Sequence, residues 1–503
     1  MGWPERDIAQ AKSFIAPPGY SRHRPETTLL YQLVAEHYPG FRDRRAAEER
    51  PLPRYVEDEF EAYLKCGLLE HGFLRVKCES CQAEKLVAFS CKRRGFCPSC
   101  GARRMAETAA LLVDDVLPWQ PVRQWVLSLP FALRYLLATR PEVVTQVLGI
   151  VYRAISGHLI RKAGLTHASA VTGAVTLIQR FGSALNLNVH FHMLVLDGVY
   201  CREGEGRLRF VRVPPPSSEE VKRLVQRIAE RIGRSLERSG LITRDIENAY
   251  LAFDPGEEAS IHGLLGASIT YRIATGPREG QKVFTLQTIP ASLEGPRREV
   301  AESSGFTLHA GIAAEASQRD KLEHLARYVS RPPVATERLA LTESGQVRCA
   351  LKTPYRDGTT HVIFEPEDFI ARLAALVPKP RAHLTRYHGV FAPASPDRGR
   401  IVPKTRGAAA DQTNERAEAS ANDRQRALTW AQRLKRVFAI DIEVCRRCGC
   451  RLRVIASIEE PAVIERILEH LRRDAGSLDP AHPRQAKRRR CPSRAPPQGN
   501  LSL

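Results

Sequence analysis

Asn188-Val189-His190-Phe191-His192-Met193-Leu194 is the stretch from which the rest of this chain can be read. Its apolar and polar residues alternate as they do on a strand, where successive side chains point to opposite faces. His190 and His192 therefore point together, while Val189, Phe191 and Met193 face an apolar side. Two imidazoles on one strand face can grip a divalent metal from the same direction. The plainer possibility is a pair of half-exposed strand histidines.

Working upstream, AVTLIQRF (174–181) is a second strand-like run, and RPEVVTQVLGIVYRAISGHLIRK (140–162) has helical spacing. Downstream, Ser217 and Glu220 have capping-box spacing at the head of a helix that puts Val221, Leu224, Val225, Ile228 and Ile232 on one face. Residues 266–290 return to alternation in SITYRIATG and KVFTLQTI, which predicts strands. A further helix is expected over 317–331, ended by Pro332-Pro333. In it Leu322, Leu325, Ala326 and Val329 form the buried stripe. Tyr328 lies off that stripe, on the face of Lys321, His324 and Arg331. A tyrosine among cations is placed to meet a phosphate, although a packing tyrosine at a helix end would look the same. Strands and helices mixed in this way predict an α+β core.

Six cysteines crowd into residues 66–100, and none follows until Cys201. Cys78-x-x-Cys81 and Cys97-x-x-Cys100 are fifteen residues apart, the spacing of two knuckles that share one tetrahedral zinc. Cys66 and Cys91 are a second pair of ligands, alternates, or core cysteines. Lys92, Arg93, Arg94, Arg103 and Arg104 surround this module and suit phosphate-backbone contact, or else form a solvated face. A second, sparser group is Cys445, Cys448 and Cys450, with Cys491 remote in the tail.

The chain has 503 residues, 43% of them hydrophobic, and a net charge of +20. That length suggests several domains, and that charge favours a polyanionic partner, nucleic acid before an anionic membrane. The first twenty residues lack the apolar core of a signal peptide, and no stretch approaches the ~18–20 apolar residues of a membrane helix. A cytoplasmic location is expected, in which twelve cysteines serve metals rather than disulfides. Composition divides the chain into an N-terminal helical arm (1–50), a zinc-binding domain (51–112), a catalytic domain (113–402), a linker (403–427), a CxxC module (428–475) and a basic tail (476–503). Within the CxxC module a short helix is expected around Leu428–Phe438, RVIASI as a strand, and a last helix opening at Pro461.

His-Phe-His followed by a helical tyrosine resembles the His-hydrophobic-His endonucleases of rolling-circle replication and transposition. The chain is more closely similar to rolling-circle transposases of the insertion-sequence-ninety-one family and their common-region relatives. The matching segments are FSCKRRGFCPSCGARR, VTLIQRFGSALNLNVHFHMLVLDGVY, LARYVSRPP, LKTPYRDGTTHVIFEPEDF, LTRYHGVFAP and LKRVFAIDIEVCRRCGCRLRVIASI. They run in order from about residue 25 to 475. The resemblance implies a zinc-binding domain ahead of a transposase domain with a central antiparallel sheet. It maps the metal pair onto His190 and His192 and the nucleophile onto Tyr328. It further implies Mg²⁺ or Mn²⁺ in catalysis, single-stranded DNA at insertion-sequence ends as partner, a 5′-phosphotyrosine intermediate, and no nucleotide cofactor. Two-tyrosine members carry a second tyrosine four residues earlier, where this chain has His324, so it resembles the single-tyrosine branch. His324 and Gln179 are rival candidates for a third metal ligand. Relatives tend to have CPxCGG where this chain has CRRCGC, which puts that knuckle in question. A non-catalytic zinc-dependent DNA binder, or an inactive transposase remnant, fits the charge and the zinc pattern equally well. Only the enzyme uses the histidine pair together with the tyrosine.

Overall fold

Regular structure begins where the sequence supplies a cap: the Thr28 side chain accepts the Tyr31 N–H and opens α1 (Leu29–Ala47). The computed structural model describes residues 24–203, 207–244, 249–252, 260–290, 300–403, 443–445 and 447–476. The start of the expected arm, the linker beyond residue 403, the helix expected at Leu428–Phe438, and the tail with Cys491 lie outside the described residues. After α1 come α2 (Arg54–Lys65), the strands β1 (Phe73–Cys78) and β2 (Glu84–Ala88), and α3 (Pro98–Ala110). Next are β3 (Val122–Ser128), α4 (Pro141–Lys162), β4 (Gly173–Phe181), β5 (Leu187–Leu196) and α5 (Ser218–Arg238). They are followed by β6 (Phe284–Gln287), β7 (Ala301–Ser303), β8 (Phe306–Ala314) and α6 (Arg319–Val329). Then come β9 (Leu339–Leu341), β10 (Val347–Ala350), β11 (Thr359–Phe364), α7 (Pro366–Leu376) and β12 (Thr385–Gly389). The described chain ends with β13 (Leu452–Ile458) and α8 (Pro461–Gly476).

These elements fall into two compact units. Among the described residues, one joins Lys65–Ser90 to the C-terminal segment 443–476; the other comprises Glu26–Leu64 and the described part of 91–403. The smaller unit is a three-stranded antiparallel sheet in the order β13-β1-β2. Ile464 and Leu468 of α8 pack on Phe73 of β1. The hairpin from the middle of the zinc-rich stretch thus folds with the C-terminal CxxC segment.

The larger unit is α+β, built on a six-stranded antiparallel sheet in the order β7-β8-β3-β5-β4-β12. The histidine strand β5 lies in its middle. In its register His190 faces Ser128 of β3 and Gln179 of β4, and His192 faces Val126 and Leu177. Val189, Phe191 and Met193 are all buried on the opposite face with Trp125, as alternation predicts. The face carrying the histidines is roofed by α6, whose Leu322, Leu325, Ala326 and Val329 pack on Val175, Leu177, Leu194 and Leu196. The capping box at Ser217 and Glu220 is formed, and all five expected apolar positions of α5 are buried.

Two expectations are corrected. SITYRIATG does not form a strand, because His262–Ile269 is helical and buries Leu264, Leu265 and Ile269; Ile269, Tyr271 and Ile273 alternate only across its end, where Tyr271 turns to φ 58°. KVFTLQTI does supply β6. One stretch does reach membrane-helix length: α4 is long and apolar enough by composition, with an apolar run that is 67% buried inside the protein. It packs on α5 as a core helix does.

Arg123 of β3 is clamped in two-pronged fashion by Asp197, directly after β5, with N···O distances of 2.9 and 2.7 Å, and also donates to the Ala310 carbonyl of β8. Both side chains are buried, and breaking such a pair leaves an uncompensated charge in a poorly solvated place. Asp197→Ala is expected to lower stability by about 3–5 kcal/mol in urea unfolding. The double variant Arg123→Met/Asp197→Ala should recover part of that loss; no recovery would show that the pair's worth is not electrostatic.

Candidate active site and cysteine clusters

The alternation of β5 brings the two imidazoles together. Their Nε2 atoms are 3.2 Å apart and the rings meet edge-on, with centroids at 4.9 Å. Each Nδ1 is engaged by the protein. His190 Nδ1 donates to the Asn188 carbonyl at 2.8 Å, and His192 Nδ1 lies 2.8 Å from the Gln124 side-chain amide on β3. The Gln124 amide nitrogen donates to His192 Nδ1, which puts this ring's hydrogen on Nε2, directed at the Nε2 lone pair of His190. Turning the Gln124 amide over, so that its oxygen accepts from Nδ1–H, would free both Nε2 lone pairs for a cation. Burial lowers the pKa of His190 to about 4, assisted by Arg331 and Arg134 against the Asn188 bond. Burial, then His190 and Arg331, lowers that of His192 to about 2. Both rings are neutral at pH 7, as metal ligands must be.

Gln179 stands beside His190 on β4 and is 4% exposed. Its Nε2 donates to the Val329 carbonyl at 2.9 Å, and its Oε1 is buried without a partner. An unbonded amide oxygen on the residue paired with His190 could serve as a third donor beside the two imidazoles, a set whose chemistry fits a divalent cation. His324 does not join them. It is exposed, and among the described residues no third His, Cys, Asp or Glu ligand atom lies within 4.8 Å of the histidine pair.

Tyr328 approaches from the roof. Its ring is 6.1 Å from that of His192 and perpendicular to it, and the residue is 41% exposed and so open to a substrate. The Arg331 guanidinium sits 4.3 Å and the Lys352 ammonium 4.2 Å from its ring centre. Burial alone would raise the phenol's pKa, but Arg331 and Lys352, by charge and hydrogen bonding, outweigh it and lower the pKa. Gln124 and Lys352 are absent from the sequence expectations. Gln124 sits in an apolar-looking strand, and Lys352 arrives from the β10–β11 hairpin, 24 positions beyond the tyrosine; neither pattern marks chemistry.

The cysteines pair differently from their spacing. Cys78 and Cys81 meet Cys445 and Cys448, not Cys97 and Cys100, and their four sulfurs lie within 4.8 Å of one another. Cys78 is 3.4 Å from Cys448, and Cys81 is 3.5 Å from Cys445. A zinc tetrahedron with ~2.3 Å bonds has sulfur–sulfur edges of roughly 3.8 Å, so the thiols stand where a zinc ion holds them. The two turns are built alike. The Cys78 N–H donates to the Ala83 carbonyl and the Gln82 N–H to that of Cys78, just as Cys445 does with Cys450 and Gly449 with Cys445. Each turn needs a left-handed residue after its second cysteine, Gln82 at φ 60° and Gly449 at φ 73°. The replacement of glycine by Cys450 therefore spares the position the turn requires. Burial opposes ionisation of Cys78, but the N–H groups of Cys81 and Ser80 and the Cys448 thiol bring its pKa down to about 6.

In the larger unit Cys91, Cys97 and Cys100 gather, with Cys91 3.4 Å from Cys100. Their loop is anchored on α2, where Glu59 accepts the Gly95 N–H at 2.7 Å and Phe96 packs on Phe60 and Tyr63. Buried Cys66 follows the last residue of α2. Of the basic residues singled out by sequence, Arg103 is paired with Glu107 and Arg93 lies 3.9 Å from Asp58. Arg94 donates to the Ala382 carbonyl, Arg104 to those of Lys92 and Arg93, and Lys92 is exposed.

Residues 33–129 match the family described as transposase zinc-binding domain, and residues 173–398 match that described as "putative transposase". By family, the chain is a transposase of the insertion-sequence-ninety-one type. No curated protein and no solved structure matches it. The zinc-binding match ends well before Cys445, so the C-terminal half of the Cys78 cluster lies beyond it. His190, His192, Gln179, Tyr328, Arg331 and Lys352 all fall inside the second match.

The zinc-binding family match and the thiol clusters support structural zinc in this transposase. Cys78→Ser and Cys448→Ser should each release the same ion, so that the double variant loses no more zinc per chain than either single variant. Cys97→Ser combined with Cys448→Ser should lose twice as much. Elemental analysis of the purified protein checks this, and additive losses from Cys78→Ser and Cys448→Ser would contradict the shared site.

Proposed function

We propose that this transposase nicks single-stranded DNA at insertion-sequence ends and carries the strand on Tyr328 as a 5′-phosphotyrosine. The observation that carries this is the convergence of the His190 and His192 Nε2 atoms beneath a tyrosine flanked by two cations. Tyr328 Oη attacks the scissile phosphorus, a P–Oη bond forms, and the bond to the 3′ oxygen breaks, leaving a 3′ hydroxyl. Attack by a 3′ hydroxyl on the phosphotyrosine reverses these bonds and rejoins the strand. Arg331 and Lys352 hold the phenolate before attack and meet charge on the phosphate afterwards. His190, His192 and Gln179 would hold Mg²⁺ or Mn²⁺, which would supply polarisation of the scissile phosphate. Gln124 and the Asn188 carbonyl fix the two rings. With one tyrosine at the site and His324 in place of a second, each cycle has a single nucleophile, as in the single-tyrosine branch.

Zinc serves folding here rather than chemistry.

Full-length protein incubated with labelled single-stranded DNA carrying the element's ends, with Mg²⁺ or Mn²⁺, should yield a covalent adduct on a denaturing gel. Tyr328→Phe should abolish the adduct and keep DNA binding. Tight binding with no adduct from the wild type would instead favour the non-catalytic DNA binder. Lys352→Met removes a cation that lowers the tyrosine's pKa, so the rise of adduct formation with pH should move to higher pH. At neutral pH the rate should fall by roughly a hundredfold, the usual effect of losing one charge-stabilising group. An unshifted profile would remove Lys352 from the chemistry.

A further inference from the structure

Beside Tyr328 the larger unit holds a cavity of about 120 Å³ whose lining includes Arg93, Arg94, Arg104, Arg180 and Arg331 and no carboxylate. A second cavity shares Ile178, Arg180 and Leu384 with it and adds Lys379, His383 and Arg386, again without an acid. Arg180 is thus common to both. The cavities open where β4 runs past its neighbour. Thr385, the first residue of β12, pairs with Leu177, and the Ile178 N–H donates one further bond to the Leu384 carbonyl, so residues 179–181 lie beyond the pairing with β12.

The charges here are poorly compensated. The Nε atoms of Arg180 and Arg386 are buried with no hydrogen-bond partner, and among the described residues no ion pair includes either side chain. Burial lowers the Arg180 pKa to about 10, and the one titratable neighbour acting on it is the phenol of Tyr55. Arg94 is bonded to a backbone carbonyl, which orients a guanidinium without neutralising it, while Arg104, also carbonyl-bonded, has buried Glu59 as a charged neighbour outside the lining. Arg93 has Asp58 at 3.9 Å, outside the lining. Buried cations without counter-ions are unfavourable unless an anion completes the site. The row also has a direction. Arg331 touches the Tyr328 ring, Val329 and Ser330 line the cavity, and Gln179, beside Arg180, is bonded to the Val329 carbonyl.

Resting on the function proposed above, we infer that this arginine-lined path, from Arg331 through Arg180 and round the edge of β4 to Arg386 on the opposite face of the sheet, binds backbone phosphates of the DNA strand flanking the scissile bond. Its guanidiniums meet phosphates and carry no base readout, so the path fixes where the strand lies rather than which sequence is chosen.

The test uses the full-length protein and a labelled oligothymidylate titrated at several salt concentrations. Arg180→Met should weaken binding and make the dependence of log affinity on log salt shallower by about 0.7 for each phosphate no longer neutralised. Because it removes an unpaired buried charge, it should also leave the thermal midpoint of the DNA-free protein unchanged or higher. Arg386→Gln should act in the same direction on binding. Wild-type affinity and salt slope in both variants would overturn the inference. So would a fall in the DNA-free thermal midpoint for Arg180→Met, since that guanidinium would then be a structural group. Tyr328→Phe run alongside separates the two claims. An adduct surviving in that variant defeats the proposed nucleophile and leaves the binding result to be judged by itself.

Discussion

A slip of one residue in β5 against β3 and β4 would turn His190 and His192 into the apolar layer and expose Val189, Phe191 and Met193. The register is therefore held by the burial of those three side chains with Trp125, and by the Arg123–Asp197 clamp at the far end of the strand. Once it is set, the other parts have fixed places. Gln179 can only stand beside His190, Gln124 can only reach Nδ1 of His192, and the apolar stripe of α6 can settle only on Leu177, Leu194 and Leu196. The tyrosine then overhangs the imidazoles because it lies on α6 just off that stripe. A single alternation of side chains is converted into a site through packing on both of its faces.

The cysteines impose a constraint of another kind. Cys78 and Cys448 are 370 positions apart in sequence, yet their sulfurs are 3.4 Å apart. Closing a loop of that length is unfavourable, though only logarithmically so, and the metal acts together with the β1–β13 pairing that adjoins it. Neither the three-stranded sheet nor the small cluster of Phe73, Ile464 and Leu468 encloses much apolar volume. A small module with so little core relies on its metal. The near-identical hydrogen bonding of its two knuckles explains why Gln82 can stand where Gly449 stands opposite: the turn asks for a left-handed backbone rather than for a missing side chain.

The histidine strand, the capped helix α5 and the tyrosine helix were legible in the sequence, because local periodicity determines each of them. So was the position of Tyr328 off the buried stripe. Cysteine pairing was not legible. Spacing favours the nearest CxxC partner, whereas the choice is made by a sheet that recruits a strand from the far end of the chain. Lys352 and Gln124 escaped for a related reason. A lysine in a hairpin and a glutamine in a strand gain a role only when register and tertiary packing put them beside a reacting group. SITYRIATG misled because a short buried helix, apolar on every side, leaves no 3.6-residue stripe to recognise.

The contrast between the two ends of β5 bears on function. At the Asp197 end a buried arginine is answered in full by a carboxylate and a carbonyl. Around the histidine end polar groups are left open: Gln179 Oε1 and the Nε atoms of Arg180 and Arg386, while the two imidazole Nε2 atoms meet only each other, 3.2 Å apart. A sheet able to satisfy Arg123 so completely is equally able to satisfy these. Leaving them unsatisfied makes the free protein less stable than it could be, a pattern expected where a chain is shaped for what it binds. The unsatisfied donors and the lone pairs are also separated by kind. The imidazoles and Gln179 Oε1, on paired residues of β5 and β4, suit a cation, while the guanidiniums beyond Arg331 suit an anion. A metal ion next to a run of phosphates is the pairing that meets both demands at once, and a DNA strand laid across Tyr328 brings the phosphates to it.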